Sequence, residues 1–164
     1  MGNRATVIFT ANGEISPAVY LHWNGGPESV YAIVAELDRI ECRADACYEC
    51  ARFVQAAGDY FDSDNKCGTL SLGLANGPTE ITVDALGDVR TDHGDNGFYV
   101  FDRTTGLVRR FTERHFEIPD SDRYGFELVE WAESDAARER ERAEAESYYL
   151  DIRAELSKRG EPGQ

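Results

Sequence analysis

The chain is poor in basic residues, and this shortage limits the partners that it can bind. Lysine and arginine together number 17 among 164 residues, whereas aspartate and glutamate number 31, so the formal net charge is −14. A surface of this sign repels nucleic acids and anionic membranes, and it attracts basic partners over a long range. Binding of DNA or RNA through a broad basic face is therefore not expected.

Long apolar runs and export signals are also missing from the sequence. No stretch approaches the ~20 consecutive apolar residues of a membrane span, and the N-terminus lacks a basic segment followed by an apolar one. Only four cysteines are present, and they are irregularly spaced. We therefore predict a cytoplasmic protein with reduced thiols and no membrane contact.

Aromatic residues, in contrast, are plentiful. The chain contains 8 Phe, 8 Tyr and 2 Trp, and disordered chains are poor in such residues. A length of 164 residues fits one domain and is sufficient to bury a core. The composition thus predicts a folded, single-domain protein.

The segment 5–54 is predicted to organise the fold. Its first part has a run of β-branched and aromatic residues before an Asn12-Gly13 turn signal and a second apolar run after it, a pattern that predicts a β-hairpin. The apolar period then changes to about 3.6 residues, which predicts a helix that starts near Pro27 and ends near position 42. The apolar face of this helix consists of Val30, Ile33, Val34, Leu37 and Ile40.

A second helix is predicted over 46–60 with Asp45 as its N-cap, and one continuous helix through this junction is the alternative. Its inner side would carry Cys47, Cys50, Phe53 and Val54. Short runs of β-forming residues separated by turn residues follow. They predict strands at 69–74, 80–85, 97–102 and 107–112, of which the last two form a hairpin.

This order predicts one α+β domain, in which an antiparallel β-sheet, formed by the N-terminal hairpin and a later meander, packs against two helices. Residues 1–132 are predicted to form the compact part of this domain. Residues 133–164 are predicted to form a long charged helix, with Ser134 as N-cap, followed by a frayed tail. The helix is either part of the same domain or a dimerisation or partner arm, so a homodimer is one expectation. Its apolar anchors are Tyr148, Tyr149, Ile152 and Leu156.

Three cysteines have a spacing that is typical of a metal site. Cys42, Cys47 and Cys50 form a C-x4-C-x2-C pattern, and these nine residues resemble the cluster loop of plant-type ferredoxins. The resemblance implies that these three thiolates hold an iron–sulfur cluster, with Cys67 as the fourth ligand. A zinc ion would use the same four residues. The favoured interpretation is that the cysteines are small apolar core residues that bind no cofactor, and a disulfide is a further alternative.

No stretch forms a strong catalytic motif. The residues Asn24, Gly25 and Gly26 stand at a predicted helix start, where free N–H groups can bind an anion. A phosphate-binding loop would add a lysine and a serine or threonine, which are missing here, so a plain strand-to-helix turn is favoured. A small enzyme with its pocket between sheet and helices remains an alternative without a named substrate.

The charge is unevenly distributed along the chain. Residues 11–102 contain 16 acidic and 5 basic residues, whereas 103–114 contain four arginines and one glutamate. This pattern indicates either a solvated surface whose arginines pair with neighbouring acids or a charged protein-interaction surface. The residues expected to contact a partner are Asp59, Asp62, Asp64, Asp88, Asp92, Asp95, Arg103, Arg109 and Arg110.

Three classes of function therefore compete. The favoured one is a non-enzymatic, acidic interaction module that binds a basic protein, including the nucleic-acid-binding groove of a partner. In charge and size the chain is similar to the DNA-mimicking antirestriction and anti-CRISPR proteins of phages and plasmids, although no motif carries this likeness. The alternatives are the iron–sulfur or zinc protein and the small enzyme.

Overall fold

The computed structural model describes residues 3–39, 43–61, 72–89, 96–117, 119, 124–131, 140, 141, 143–147, 150 and 154. In chain order the elements are β1 (Ala5–Ala11), β2 (Glu14–Ile15), β3 (Ala18–Leu21), α1 (Pro27–Arg39), α2 (Ala46–Phe61), β4 (Leu72–Ala75), α3 (Val83–Gly87), β5 (Phe98–Asp102), β6 (Val108–Glu117) and β7 (Tyr124–Glu130). The described positions between 140 and 154 are also helical. The protein is thus a mixed α+β fold, as predicted.

The seven strands form one mixed sheet. The strand order is β4-β3-β1-β5-β6-β7, and β2 pairs with β1 beside this path. The prediction of an antiparallel sheet is wrong at its centre, where β1 and β5 run parallel with Val7 opposite Tyr99. The chain passes through β2, β3, α1, α2, β4 and α3 between these two strands, and this long connection lets β5 enter the sheet in the direction of β1.

The predicted N-terminal hairpin is confirmed. Asn12 and Gly13 have φ angles of 51° and 82°, as the two central residues of a type I′ turn require. The second strand of the predicted hairpin is divided into β2 and β3. There the Ser16 hydroxyl accepts a hydrogen bond from the Phe9 N–H at 3.0 Å, so this buried donor stays satisfied beside Pro17.

The segment after the hairpin forms two separate helices, so the alternative of one continuous helix is wrong. The Tyr48 N–H donates to the Asp45 carboxylate at 2.7 Å, so Asp45 caps α2. The prediction that Cys47 faces inward is wrong, because this side chain is exposed whereas Cys50 is buried. The buried stripe of α2 comprises Ala46, Cys50, Phe53 and Ala57, and the helical rotation of about 100° per residue turns Cys47 away from it.

One face of the sheet packs against α1 and α2. Phe9 on β1 is fully buried, and its ring centroid lies 5.5 Å from that of Phe53 on α2 and 5.6 Å from that of Phe101 on β5. The apolar face predicted for α1 is buried at Val30, Ile33, Val34 and Leu37. Position 40 lies outside the described residues.

The opposite face of the sheet is covered by α3, and the prediction of a strand at 80–85 is wrong. The Thr82 hydroxyl accepts a hydrogen bond from the Ala85 N–H at 3.3 Å, which caps a short helix. Leu86 and Val89 then pack on a second cluster with Ile8 and Phe98. Their spacing of three residues is helical, and a strand would have sent them to opposite faces.

Only part of the predicted C-terminal helix lies within the described residues. Its proposed cap, Ser134, and its proposed anchors, Tyr148, Tyr149, Ile152 and Leu156, fall outside them. Ala145 is buried and Glu141 pairs with Arg110 on β6, so these two helical residues contact the body of the protein. Among the helices of the described ranges, none has the length and apolar character that a membrane crossing needs.

Candidate functional site

Arg109 lies on β6 and makes a bidentate ion pair with Glu130 on β7. Its Nε and Nη2 atoms donate to the two carboxylate oxygens at 2.6 and 2.8 Å, and Nη1 donates to the Ile81 carbonyl at 3.3 Å. The hydrogen bond from Arg109 lowers the pKa of Glu130, and the carboxylate raises the pKa of Arg109. The charge of Arg109 is therefore compensated within the chain, and the residue ties the segment before α3 to the sheet.

Arg110 points to the other face of the sheet and is almost completely buried. Its guanidinium carbon lies 4.7 Å from the ring centroid of Tyr99 and 4.7 Å from that of Trp131, so two aromatic faces enclose the cation. Nη1 lies 3.2 Å from the Glu141 carboxylate. Only 5% of Arg110 is exposed, and its contacts join β5, β6 and the C-terminal helical residues.

Arg103 starts the β5–β6 turn and joins it to both long helices. Its Nη2 lies 2.5 Å from Oδ1 of Asp38 on α1, and its Nε lies 3.2 Å from Oε2 of Glu49 on α2. Glu49 is 1% exposed, and burial raises its pKa even though Arg103 acts in the opposite direction. This ion-pair network fixes the turn to the helical layer.

Replacement of Glu49 by glutamine is expected to flatten the pH dependence of stability. Because the pKa of Glu49 is raised in the folded chain, the folded state holds this proton more tightly than the unfolded state does. Its contribution is therefore full below the unfolded pKa and is lost as the pH rises through the folded pKa. Urea unfolding of both proteins between mildly acidic and neutral pH would show this. Asp84→Asn, which removes an exposed carboxylate on α3 at the opposite face of the sheet, is the control, and an unchanged slope in Glu49→Gln would refute the expectation.

The arginines of the β5–β6 hairpin thus all face carboxylates. Arg114, the fourth, pairs with Glu127 on β7. This arrangement corresponds to the first of the two interpretations of the 103–114 charge pattern, in which arginines pair with neighbouring acids. Whether Arg103 and Arg109 also contact a partner stays a prediction, and Arg110 is too buried to offer its charge to one.

Exposed carboxylates lie around α3. Glu80, Asp84 and Asp88, which we call the acidic segment, are exposed and spaced four residues apart. No lysine or arginine occurs in the sequence from 67 to 89. Asp88 belongs to the predicted contact residues, whereas Glu80 and Asp84 were missed because 80–85 reads as a strand. The four-residue spacing of the acids and the capping Thr82 are the sequence signals that could have identified them.

Several predicted contact residues cannot be placed. Asp59 lies on α2, but its side chain is outside the described residues, as are Asp62, Asp64, Asp92 and Asp95. Asp59, Asp62 and Asp64 form one predicted acidic cluster, and Asp92 and Asp95 form another with Asp88; contact of either cluster with a partner stays a prediction.

Of the two cysteines that the structure describes, Cys50 is buried and Cys47 is exposed. The Cys50 thiol lies in the core and donates to the Pro17 carbonyl at 3.6 Å, and burial raises its pKa. A metal ligand must be a thiolate, which this environment disfavours. Cys42 and Cys67 lie outside the described residues, and the part of the chain that is described contains no group of three metal-binding side chains.

The start of α1 is occupied by the chain itself. The Glu28 carboxylate folds back against Gly26, where a Cβ atom would overlap it. Asn24 has a φ of 59°, and the Gly25 N–H donates to the Asn3 carbonyl at 2.7 Å. This geometry is that of a strand-to-helix turn, and the negative charge of Glu28 opposes binding of an anion there.

Comparisons with protein-family models, with curated proteins and with solved structures gave no match to this chain. Its function therefore has to be inferred from the charge and geometry of its own residues.

Proposed function

We propose that the chain is a non-enzymatic, cytoplasmic interaction module whose acidic surface binds a basic protein. The observation that carries this proposal is the internal compensation of the arginine-rich hairpin. Arg103, Arg109, Arg110 and Arg114 each face a carboxylate, so this hairpin does not offset the net charge of −14 with a positive patch. A partner meets a molecule of one dominant sign, which favours encounter with a basic surface.

The finer form of the proposal is an inhibitor that occupies a basic nucleic-acid-binding groove. Exposed carboxylates at regular spacing in the acidic segment, Glu80, Asp84 and Asp88, present negative charge to such a groove as phosphates do. The similarity in charge and size to antirestriction and anti-CRISPR proteins supports the same inhibitor proposal. It is an analogy of physical properties.

A graded charge series on the acidic segment tests the proposal. The triple variant Glu80→Lys, Asp84→Lys, Asp88→Lys should associate with a lysine-rich peptide at least about tenfold more slowly at low salt, because electrostatic steering acts mainly on the association rate. The neutral triple Glu80→Gln, Asp84→Asn, Asp88→Asn should give an intermediate rate. Each substitution is exposed and should change stability by only about 0.5 kcal/mol or less, so circular dichroism should report an intact fold.

The two predicted acidic clusters provide a second arm of this test. Reversal of Asp59, Asp62 and Asp64, or of Asp92 and Asp95 together with Asp88, should slow association in the same way. Stopped-flow fluorescence measures all of these rates. Wild-type rates in every reversed variant would mean that the acidic charge does not guide binding, and the proposal would fall.

A further inference from the structure

A cleft lies where the β5–β6 turn meets α1 and the C-terminal helical residues. We call it the corner cleft, and its volume is about 670 Å³. Its walls are largely apolar and include Tyr31 and Val34 on α1, Leu107 after the turn and Ala145 among the C-terminal helical residues. Leu107 is 47% exposed, although leucine gains stability from burial. The cleft thus presents apolar surface that a partner side chain can cover.

The rim of the corner cleft is negatively charged. Asp38, Asp102 and Glu146 contribute three carboxylates, whereas Arg103 is the only cation among those lining residues that the structure describes. Arg103 already pairs with Asp38 and with the buried Glu49 behind it. Hydrogen bonds from Thr105 and Thr104 lower the pKa of Asp102 and keep this carboxylate ionised. An apolar floor beneath a negative rim is complementary to an apolar side chain flanked by cations.

We propose that the corner cleft anchors the basic partner by receiving one leucine-like side chain that lysines or arginines flank in the partner's sequence. This inference rests on the proposed function, because it names the feature of the basic partner that the acidic surface selects. Long-range charge sets the rate of encounter, and the buried anchor sets the lifetime of the complex.

Three synthetic peptides separate these two contributions. The first is a short lysine peptide with one central leucine, the second carries serine in place of the leucine, and the third carries glutamates in place of the lysines. The leucine peptide should bind the wild-type chain about tenfold more tightly than the serine peptide, because burial of one leucine adds hydrophobic free energy. The glutamate peptide should not bind.

Two matched replacements of alanine by tryptophan test whether the leucine side chain binds in the corner cleft. Ala35 lines the corner cleft and Ala51 does not, and both are exposed helical positions, on α1 and α2 respectively. Ala35→Trp should fill the cleft and remove the tenfold advantage of the leucine peptide without changing any charge. Ala51→Trp should leave that advantage intact. Thermal unfolding of both variants shows whether the fold is retained, and Leu107→Ser, at an exposed position, is a second variant that should reduce the advantage.

The outcomes distinguish the two proposals. If the serine peptide binds but leucine adds nothing, or if Ala35→Trp and Leu107→Ser keep the leucine advantage, the cleft proposal is overturned and the acidic module stands. If neither lysine peptide binds at low salt, the proposed function fails together with the cleft. A wild-type dimer in light scattering that Ala35→Trp makes monomeric would assign the cleft to a second copy and would also overturn the proposal.

Discussion

Replacement of Gly97 by alanine is expected to lower the free energy of unfolding by at least about 3 kcal/mol, or to prevent folding. Gly97 has a φ of 69°, and a side chain in this left-handed region costs about 1–2 kcal/mol. A Cβ atom would also overlap the carbonyl oxygen of Phe111 and come within 2.8 Å of its carbonyl carbon. The Gly97 carbonyl accepts the Thr6 N–H at 2.9 Å, so the clash falls where β1, β5 and β6 meet.

Gly106→Ala is the matched control for this substitution. Gly106 has a φ of 75°, but a Cβ atom there would meet no other atom within 4 Å. It should therefore show only the conformational cost of about 1–2 kcal/mol. Urea unfolding of the two variants isolates the steric contribution, and equal losses of stability would contradict the position of β6 against Gly97.

Replacement of Phe9 by alanine is expected to lower the free energy of unfolding by about 3–5 kcal/mol. Phe9 is fully buried and contacts Phe53 on α2 and Phe101 on β5, so the cavity would open between the sheet and its helical layer. Partial relaxation of these neighbours cannot recover the lost packing, because both are held by their own elements.

The control is Leu74→Ala on the edge strand β4. Leu74 is 68% exposed, so its truncation should change stability by only about 0.5 kcal/mol. Chemical denaturation monitored by circular dichroism provides both values. A loss for Phe9→Ala as small as that for Leu74→Ala would contradict the position of Phe9 at the centre of the core.

The elements that could be predicted from the sequence are those with a local cause. Asn12 and Gly13 are suited to the positive φ angles of their turn, and Asp45 marks the start of α2 by capping it. The parallel pairing of β1 with β5 has no such local cause. Alternation of apolar residues predicts a strand but gives neither its partner nor its direction. The helix α3 was missed because Ile81, Thr82 and Val83 favour a strand locally, whereas packing of Leu86 on the sheet stabilises a helix.

The negative charge of the candidate site could be predicted from the sequence, but its ion pairs could not. The negative excess follows directly from composition, but the partner of Arg103 on α2 is far away in the sequence, at Glu49. Arg110 looks like a surface residue because arginine is rarely buried. Its burial depends on Tyr99, Trp131 and Glu141, which come from three different segments that only the fold brings together.

The association rate of the wild-type chain with a lysine-rich peptide, measured as salt is raised, tests the central claim most directly. If an acidic surface captures a basic partner, the rate should be high at low salt and fall steeply as the screening length shortens to about 8 Å at physiological ionic strength. The dissociation rate should change much less. The variant with Lys at positions 80, 84 and 88 should show a shallower dependence. A wild-type association rate that does not change with salt would contradict the claim that charge directs this protein to its partner.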